Sequence, residues 1–94
     1  MNSAELFRNS VKAISENYAM ESVLEIEANL AERSNPERFA VLSAALCFCH
    51  GFDFTAVGLL VDAGIKGADR MVARLRIEVA DAPHYWNLPG RNAS

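Results

Sequence analysis

Residues 51–64 read GFDFTAVGLLVDAG and decide the fold, because a glycine stands at each end of twelve residues with the character of one short helix. Asp53 can cap the start of this helix by accepting a hydrogen bond from a backbone N–H of the first turn. Phe52 and Val57 have the spacing of a hydrophobic staple. At the far end Gly64 can adopt the left-handed conformation that ends many helices. The stretch therefore predicts a short helix joined by tight turns to a longer helix on each side.

The helix before this stretch has the clearest start in the chain. The segment Ser34 to Glu37 combines capping residues, a proline suited to the first turn and an early acid. One apolar stripe then follows at helical spacing, formed by Phe39, Leu42, Leu46 and Cys49. Because Val41 and Phe48 add apolar surface outside that stripe, we expect this helix to be central and to end near His50.

The helix after the stretch is predicted to run from about Gly67 to Ala80. Its buried stripe consists of Ala68, Val72, Leu75 and Val79. A basic stripe lies on nearly the opposite side, formed by Lys66, Arg70 and Arg74. Pro83 ends the helix, because the residue before a proline is disfavoured in the helical conformation.

A further helix is predicted from about Ser3 to Asn17. Asn2 and Glu5 have the spacing of a capping box. The predicted buried face is formed by Phe7, Val11, Ile14 and Tyr18.

The next segment has two periodicities. Ser22 and Glu25 again have capping-box spacing, and a predicted buried helical face consists of Met20, Val23, Ile26 and Leu30. The stretch from Leu24 to Ala28 also alternates as a strand would. Because the segment is rich in Glu, Leu and Ala, and no second strand is apparent to pair with it, we expect a helix.

These elements predict an all-α fold: a compact bundle of about five short helices with a helix-turn-helix-like hairpin in the C-terminal half. We expect helices three to five to form the core and helices one and two to cover it. Residues 1–83 are expected to form a single helical domain, and residues 84–94 a C-terminal tail with an aromatic anchor. A chain of 94 residues, 51% of them apolar, can bury one core.

Composition narrows the classes of function and location. The net charge of −3 argues against a protein that coats a polyanion. On a helix, Cys47 and Cys49 would diverge by about 200° and could not easily bridge one another, so we expect a reduced, cytoplasmic protein. Residues 1–6 lack the pattern of a signal peptide. Charges interrupt the apolar region 39–65, so no membrane span is expected.

The segment from Ala56 to Leu75 resembles the helix-turn-helix of DNA-binding regulators. The resemblance rests on Gly64 in the turn position and on its apolar neighbours Leu59, Leu60 and Ile65. It implies that the following helix enters the major groove, where Lys66, Arg70 and Arg74 would contact bases and phosphates. The apolar pair Val72 and Leu75 comes about two residues late in the pattern, so a turn longer than standard is expected.

Residues Ala56 to Gly64 are also similar to the second helix of an ankyrin repeat, over nine residues. The turn signature that opens such a repeat is missing, and there is no second copy. Because a single unit cannot bury its hydrophobic face, we expect no repeat architecture.

Cys47, Cys49 and His50 are the residues that could bind a metal or act as a nucleophile. Zinc sites commonly use ligand pairs with two to four residues between them, whereas one residue separates these cysteines. Free cysteine is often buried as a small apolar residue. We therefore expect no metal, no cofactor, no catalytic residue and no small-molecule substrate, and predict that the protein is not an enzyme.

Two surfaces are predicted to bind a partner. Glu21, Glu25, Glu27 and Glu32 make the second helix acidic, which suits either a docking surface for a basic partner or, as the default, the solvated face of an amphipathic helix. Large side chains near the C-terminus either dock on the body or anchor a partner: Tyr85, Trp86 and Leu88.

The leading functional hypothesis is a small cytoplasmic protein–protein interaction module, an adaptor, regulator or inhibitor without catalytic activity. Its expected partner is another protein or a second copy of the chain, bound through Glu21, Glu25, Tyr85, Trp86 and Leu88. The alternative is a helix-turn-helix DNA-binding transcriptional regulator that uses the basic stripe.

Overall fold

The computed structural model describes residues 2–81 and residue 88. Residues 2–81 form five α-helices and no strand: α1 (Ser3–Glu16), α2 (Ala19–Ser34), α3 (Pro36–Cys49), α4 (Asp53–Asp62) and α5 (Ala68–Asp81). The predicted all-α fold is confirmed. The stretch whose alternation suggested a strand, Leu24 to Ala28, lies inside α2.

Asparagine side chains cap the starts of α1 and α3, as predicted. Asn2 Oδ1 accepts the backbone N–H of Glu5 at 2.8 Å, and Asn2 Nδ2 donates to Glu5 Oε1 at 3.2 Å. Asn35 Oδ1 accepts the backbone N–H of Arg38 at 3.1 Å, with Pro36 in the first turn. The bonds to Asn2 Oδ1 and Asn35 Oδ1 each satisfy a backbone N–H of the first turn that has no partner within its own helix.

Glycines end α3 and α4 in the same way. Gly51 has φ 85° and Gly64 has φ 77°. After the first, Phe52 N–H donates to the carbonyl of Cys47 at 2.9 Å; after the second, Ile65 N–H donates to the carbonyl of Leu60 at 3.1 Å. These are the six-to-one bonds of Schellman motifs. The two turns predicted from residues 51–64 are therefore confirmed.

Replacing Gly64 by alanine is expected to lower the free energy of unfolding by about 1–2 kcal/mol, because a Cβ is disfavoured at positive φ. Gly58 provides the matched control: it lies inside α4, and a Cβ built there meets no atom within 4 Å. Gly58→Ala should raise stability by about 0.5–1 kcal/mol. Urea unfolding of both variants measures the contrast, and equal effects of the two substitutions would contradict the assigned turn.

Helix α3 forms the centre of the fold, since α1, α2 and α4 all pack on it. It is buried on several faces, as predicted, through Ala40, Val41, Leu42, Ala44, Ala45, Phe48 and Cys49. The rings of Phe7 and Phe48 meet edge to face, with centroids 5.7 Å apart and an interplanar angle of 76°. Such aromatic pairs add stability beyond the area they bury.

The expected division into a core of helices three to five and a cover of helices one and two is wrong in detail. Helix α1 contributes Phe7, Val11 and Ile14 to the core, whereas α5 packs mainly on α4. The predicted stripe of α5 is nevertheless buried in full: Ala68, Val72, Leu75 and Val79. A helix at the edge of the bundle needs only one buried stripe, and α5 has one.

Three local predictions in the other helices are wrong. Tyr18 does not continue the buried face of α1, because that helix ends at Glu16 and the Tyr18 side chain is exposed. Asp53 does not cap α4; its Oδ2 lies 3.6 Å from Nη1 of Arg76 instead. Phe52 is exposed, so it does not serve as the buried partner of Val57.

Candidate interaction surface

Three large aliphatic side chains stay exposed on α2, where sequence periodicity predicted a buried face. The exposed fractions are 42% for Val23, 60% for Ile26 and 74% for Leu30. Their spacing of three and four residues places them together on one side of the helix. We call these three residues the α2 seam. The predicted burial of Val23, Ile26 and Leu30 is therefore wrong, while Met20 is half-buried against the core.

The face of α2 that packs on the bundle carries smaller residues. Leu24, Ala28 and Ala31 are buried, and α2 packs mainly on α3. Only Asn35 separates the two helices, which forces them to fold back on each other over a very short distance. Alanine at a helix contact permits an axis separation near the lower end of about 8–10 Å. Close packing on α3 therefore directs the alanine face inward and leaves the aliphatic face in solvent.

The flanks of the α2 seam are close to neutral. On one side lie Ser22, Asn29 and Arg33, and on the other Glu27 and Ser34, as their helical positions require. Glu27 Oε2 accepts from Nη2 of Arg38 at 2.9 Å. The carboxylate beside the seam thus has its countercharge on the same molecule.

The two acids predicted to bind a partner have different surroundings. Glu21 Oε1 lies 2.5 Å from Nε2 of His50, which joins the first turn of α2 to the end of α3. Glu25 is exposed and forms no ion pair with residues 2–81 or 88. The two carboxylates therefore do not share one partner on the molecule.

The basic stripe of Lys66, Arg70 and Arg74 is exposed, and none of the three forms an ion pair within the described residues. Arg70 and Arg74 border a groove of about 420 Å³ between α1 and α5. Acids also line this groove: Glu5 and Glu78, the latter 2.6 Å from Nη2 of Arg8. The basic stripe therefore borders a groove whose lining also includes carboxylates.

Of the three residues predicted to form the C-terminal anchor, the structure describes one, Leu88. Leu88 is 1% exposed and belongs to the core cluster. It is therefore placed in the interior, which leaves no exposed surface on its side chain for a partner. Tyr85 and Trp86 lie outside the described residues, so their part in partner binding stays a prediction.

Cys47 and Cys49 lie in the last turn of α3, directly before His50. Neither Cys47 nor Cys49 is in a disulfide, and Cys49 is buried. Burial raises the pKa of the Cys47 thiol above its ordinary value, because it disfavours the charged thiolate. Across residues 2–81 and 88, no three His, Cys, Asp or Glu side chains form a group that could hold a metal ion.

A second exposed apolar area lies on α4. Phe54 is 94% exposed and Val61 is also exposed. Gly58 lies between them on the same side of the helix. The glycine interrupts this area, whereas the α2 seam is continuous over two turns.

The chain matches no protein-family model, no curated protein and no solved structure. Within residues 2–81, no helix combines the length and the apolar character needed to cross a lipid bilayer.

Proposed function

We propose that the protein is a protein–protein interaction module, an adaptor, regulator or inhibitor, and that the α2 seam docks an amphipathic helix of its partner. One observation carries the proposal: the fold buries Ala28 and Ala31 while it exposes Val23, Ile26 and Leu30. Contiguous exposed apolar surface on a folded domain is typical of an interaction site. The seam has the three- and four-residue spacing that helix-in-groove recognition uses.

The size of the seam sets the strength of binding that it can supply. Full burial of an exposed aliphatic side chain contributes about 1.5–3 kcal/mol. Scaled by the exposed fractions, the contributions run from about 0.6–1.3 kcal/mol for Val23 to about 1.1–2.2 kcal/mol for Leu30. Micromolar affinity corresponds to about 8 kcal/mol, and association itself has an entropic cost. A partner must therefore also contact the flanks of α2.

Capture from native extract tests this proposal with a matched pair of variants. Ile26→Glu places a charge in the α2 seam, and Val61→Glu places the same charge at a similarly exposed position on α4. We expect wild type and Val61→Glu to retain the same protein, and Ile26→Glu to lose it by at least about tenfold, since an unpaired buried charge disrupts an interface. Retention of that protein by Ile26→Glu would overturn the assignment of the surface.

The alternative function, DNA binding through a helix-turn-helix, has one observation in its favour. Lys66, Arg70 and Arg74 stay exposed at four-residue spacing without ion pairs among the described residues. Against it, Glu5 lines the same groove as Arg70 and Arg74 and would repel phosphates, and Glu78 is already paired there with Arg8 at 2.6 Å. Salt-dependent binding to duplex DNA that Arg70→Glu abolishes would favour this alternative over the interaction module.

A cytoplasmic location is part of the proposal. It is supported by Cys47 and Cys49, neither of which is in a disulfide. Unbridged cysteines are typical of proteins in reducing compartments.

A further inference from the structure

We infer that the groove between α1 and α5 is a second docking site, which binds an acidic peptide segment of a partner protein through Arg70 and Arg74. This inference goes beyond the proposed function, because it uses no residue of the α2 seam. The occupant is chosen on three features of the groove: its apolar lining, the unpaired charge on one wall and the length over which it runs.

The groove has an apolar bottom and small residues on its walls. Phe7 and Leu75 are buried core residues that line it, and Met71 is half-buried against the same core. Ala4 adds only a methyl group to the α1 wall. Gly67 has no side chain, and a Cβ built there meets no atom within 4 Å. Because methionine adapts its shape to different apolar groups, the groove can accept a large apolar side chain from a ligand.

The unpaired charge of the groove is positive. Arg8 and Glu78 neutralise each other in an ion pair at 2.6 Å, which leaves Arg70 and Arg74 against Glu5 alone. Three arginines and two glutamates thus give the lining a net charge of +1, on a chain whose net charge is −3. Arg70 and Arg74 form no ion pair within the described residues. Because a free guanidinium binds a carboxylate through charge-assisted, often bidentate hydrogen bonds, the groove favours an acidic ligand.

The position of Lys66 favours a peptide over a nucleic acid as the acidic ligand. Lys66 belongs to the basic stripe, but the groove is lined only by the other two members of that stripe, Arg70 and Arg74. A nucleic acid is held mainly through a row of phosphates, which would use all three cations and would leave the apolar bottom empty. An acidic peptide with a large apolar side chain beside its carboxylates uses both arginines and also contacts Met71.

The length of the groove suits a short segment of chain. Its α5 wall runs from Gly67 to Glu78, a rise of about 17 Å, and about five residues of extended chain span the same distance. Arg70 and Arg74 lie about 6 Å apart along the helix axis. Alternate residues of an extended segment are about 6.6 Å apart and point the same way. Carboxylates two residues apart in the ligand can therefore meet both arginines together.

Selection from a display library of random peptides tests the inference. The peptides have about twelve residues, more than the groove can hold in extended form. The library is first depleted on a chain that carries both Arg70→Glu and Arg74→Glu, and is then selected on the wild-type chain. We expect the enriched peptides to carry two acids two residues apart beside a large apolar residue. The tightest of them, measured by fluorescence anisotropy, should bind Arg74→Glu at least about tenfold more weakly than wild type.

Lys66→Glu is the matched control, because it makes the same reversal of charge on the basic stripe but outside the groove. Its affinity for the selected peptide should stay within about threefold of wild type at physiological salt. Serine in place of the apolar residue of the peptide should weaken binding by at least about fivefold. Circular dichroism checks that each variant is folded.

Each other outcome overturns the inference. Enriched peptides without acids, or no enrichment after depletion, exclude an acidic peptide as the ligand of the groove. Equal losses for Lys66→Glu and Arg74→Glu indicate attraction of any anion to the basic stripe, as the DNA-binding alternative requires. The proposed function fails separately: Ile26→Glu should bind the selected peptide as wild type does, whether or not it loses the partner of the α2 seam. Loss of the peptide by Ile26→Glu would place the peptide on α2 instead.

Discussion

Phe48→Ala is expected to lower the free energy of unfolding by about 3–5 kcal/mol, the range for truncation of a fully buried phenylalanine. Phe48 lies in the last turn of α3, completely buried, with its ring edge to face with that of Phe7. The substitution removes this aromatic contact and leaves a cavity that the surrounding helices can fill only in part. For a domain whose total stability is about 5–15 kcal/mol, this loss is a large fraction.

Phe54→Ala is the matched control, because it makes the same chemical change at a side chain that is 94% exposed. Its effect should stay within about 0.5 kcal/mol. Urea unfolding followed by circular dichroism measures both. If Phe48→Ala does not fold, Phe48→Leu gives the same ordering with a smaller loss. Equal losses for Phe48 and Phe54 would contradict the placement of α3 at the centre.

Ala28→Glu is expected to destabilise the fold by about 3–5 kcal/mol, because it places an unpaired charge in the contact between α2 and the bundle. Ala28 is 3% exposed, and small residues on this face set how closely α2 approaches α3. A glutamate there must either separate the helices or leave its carboxylate without water. The urea concentration at the midpoint of unfolding should fall. A midpoint within error of wild type would show that the Ala28 face of α2 does not pack against α3.

The positions of the helix ends could be predicted from the sequence because the signals are local. Asn2 and Asn35 each meet a backbone N–H three residues away, and Gly64 needs only its own conformational freedom. The buried stripe of α5 could be predicted equally well, since the apolar residues of this helix fall mainly on one face. Asp53 shows the limit of local reasoning: its carboxylate approaches Arg76 on another helix, a contact that capping rules cannot anticipate.

The orientation of α2 could not be predicted because this helix is apolar on two sides. Periodicity favours the side with the larger residues, Val23, Ile26 and Leu30. The fold instead uses Leu24, Ala28 and Ala31, because close packing on α3 through a one-residue link favours small side chains. The two sides are offset by one or two residues in the sequence, which is about 100–200° around the helix. A choice of this kind depends on the neighbouring helix, not on the segment itself.

The candidate interaction surface was predicted only in part. The sequence placed acids on α2, and Glu25 is indeed exposed. It did not show that Glu21 lies beside His50, which is 29 residues away in the chain. The α2 seam was missed because its residues were assigned to the core. One signal could have identified it: α2 has more apolar surface than packing on one side requires.

The rotation of α2 is the claim on which the proposed surface depends, and a paired unfolding measurement tests it most directly. Ala28→Glu and Ile26→Glu place the same charge two residues apart, on the inward and outward sides of one helix. We predict that Ile26→Glu keeps the stability of wild type within about 0.5 kcal/mol, whereas Ala28→Glu loses about 3 kcal/mol or more, both measured in dilute protein. A larger loss for Ile26→Glu than for Ala28→Glu would show that Val23, Ile26 and Leu30 pack inward, and would remove the interaction surface.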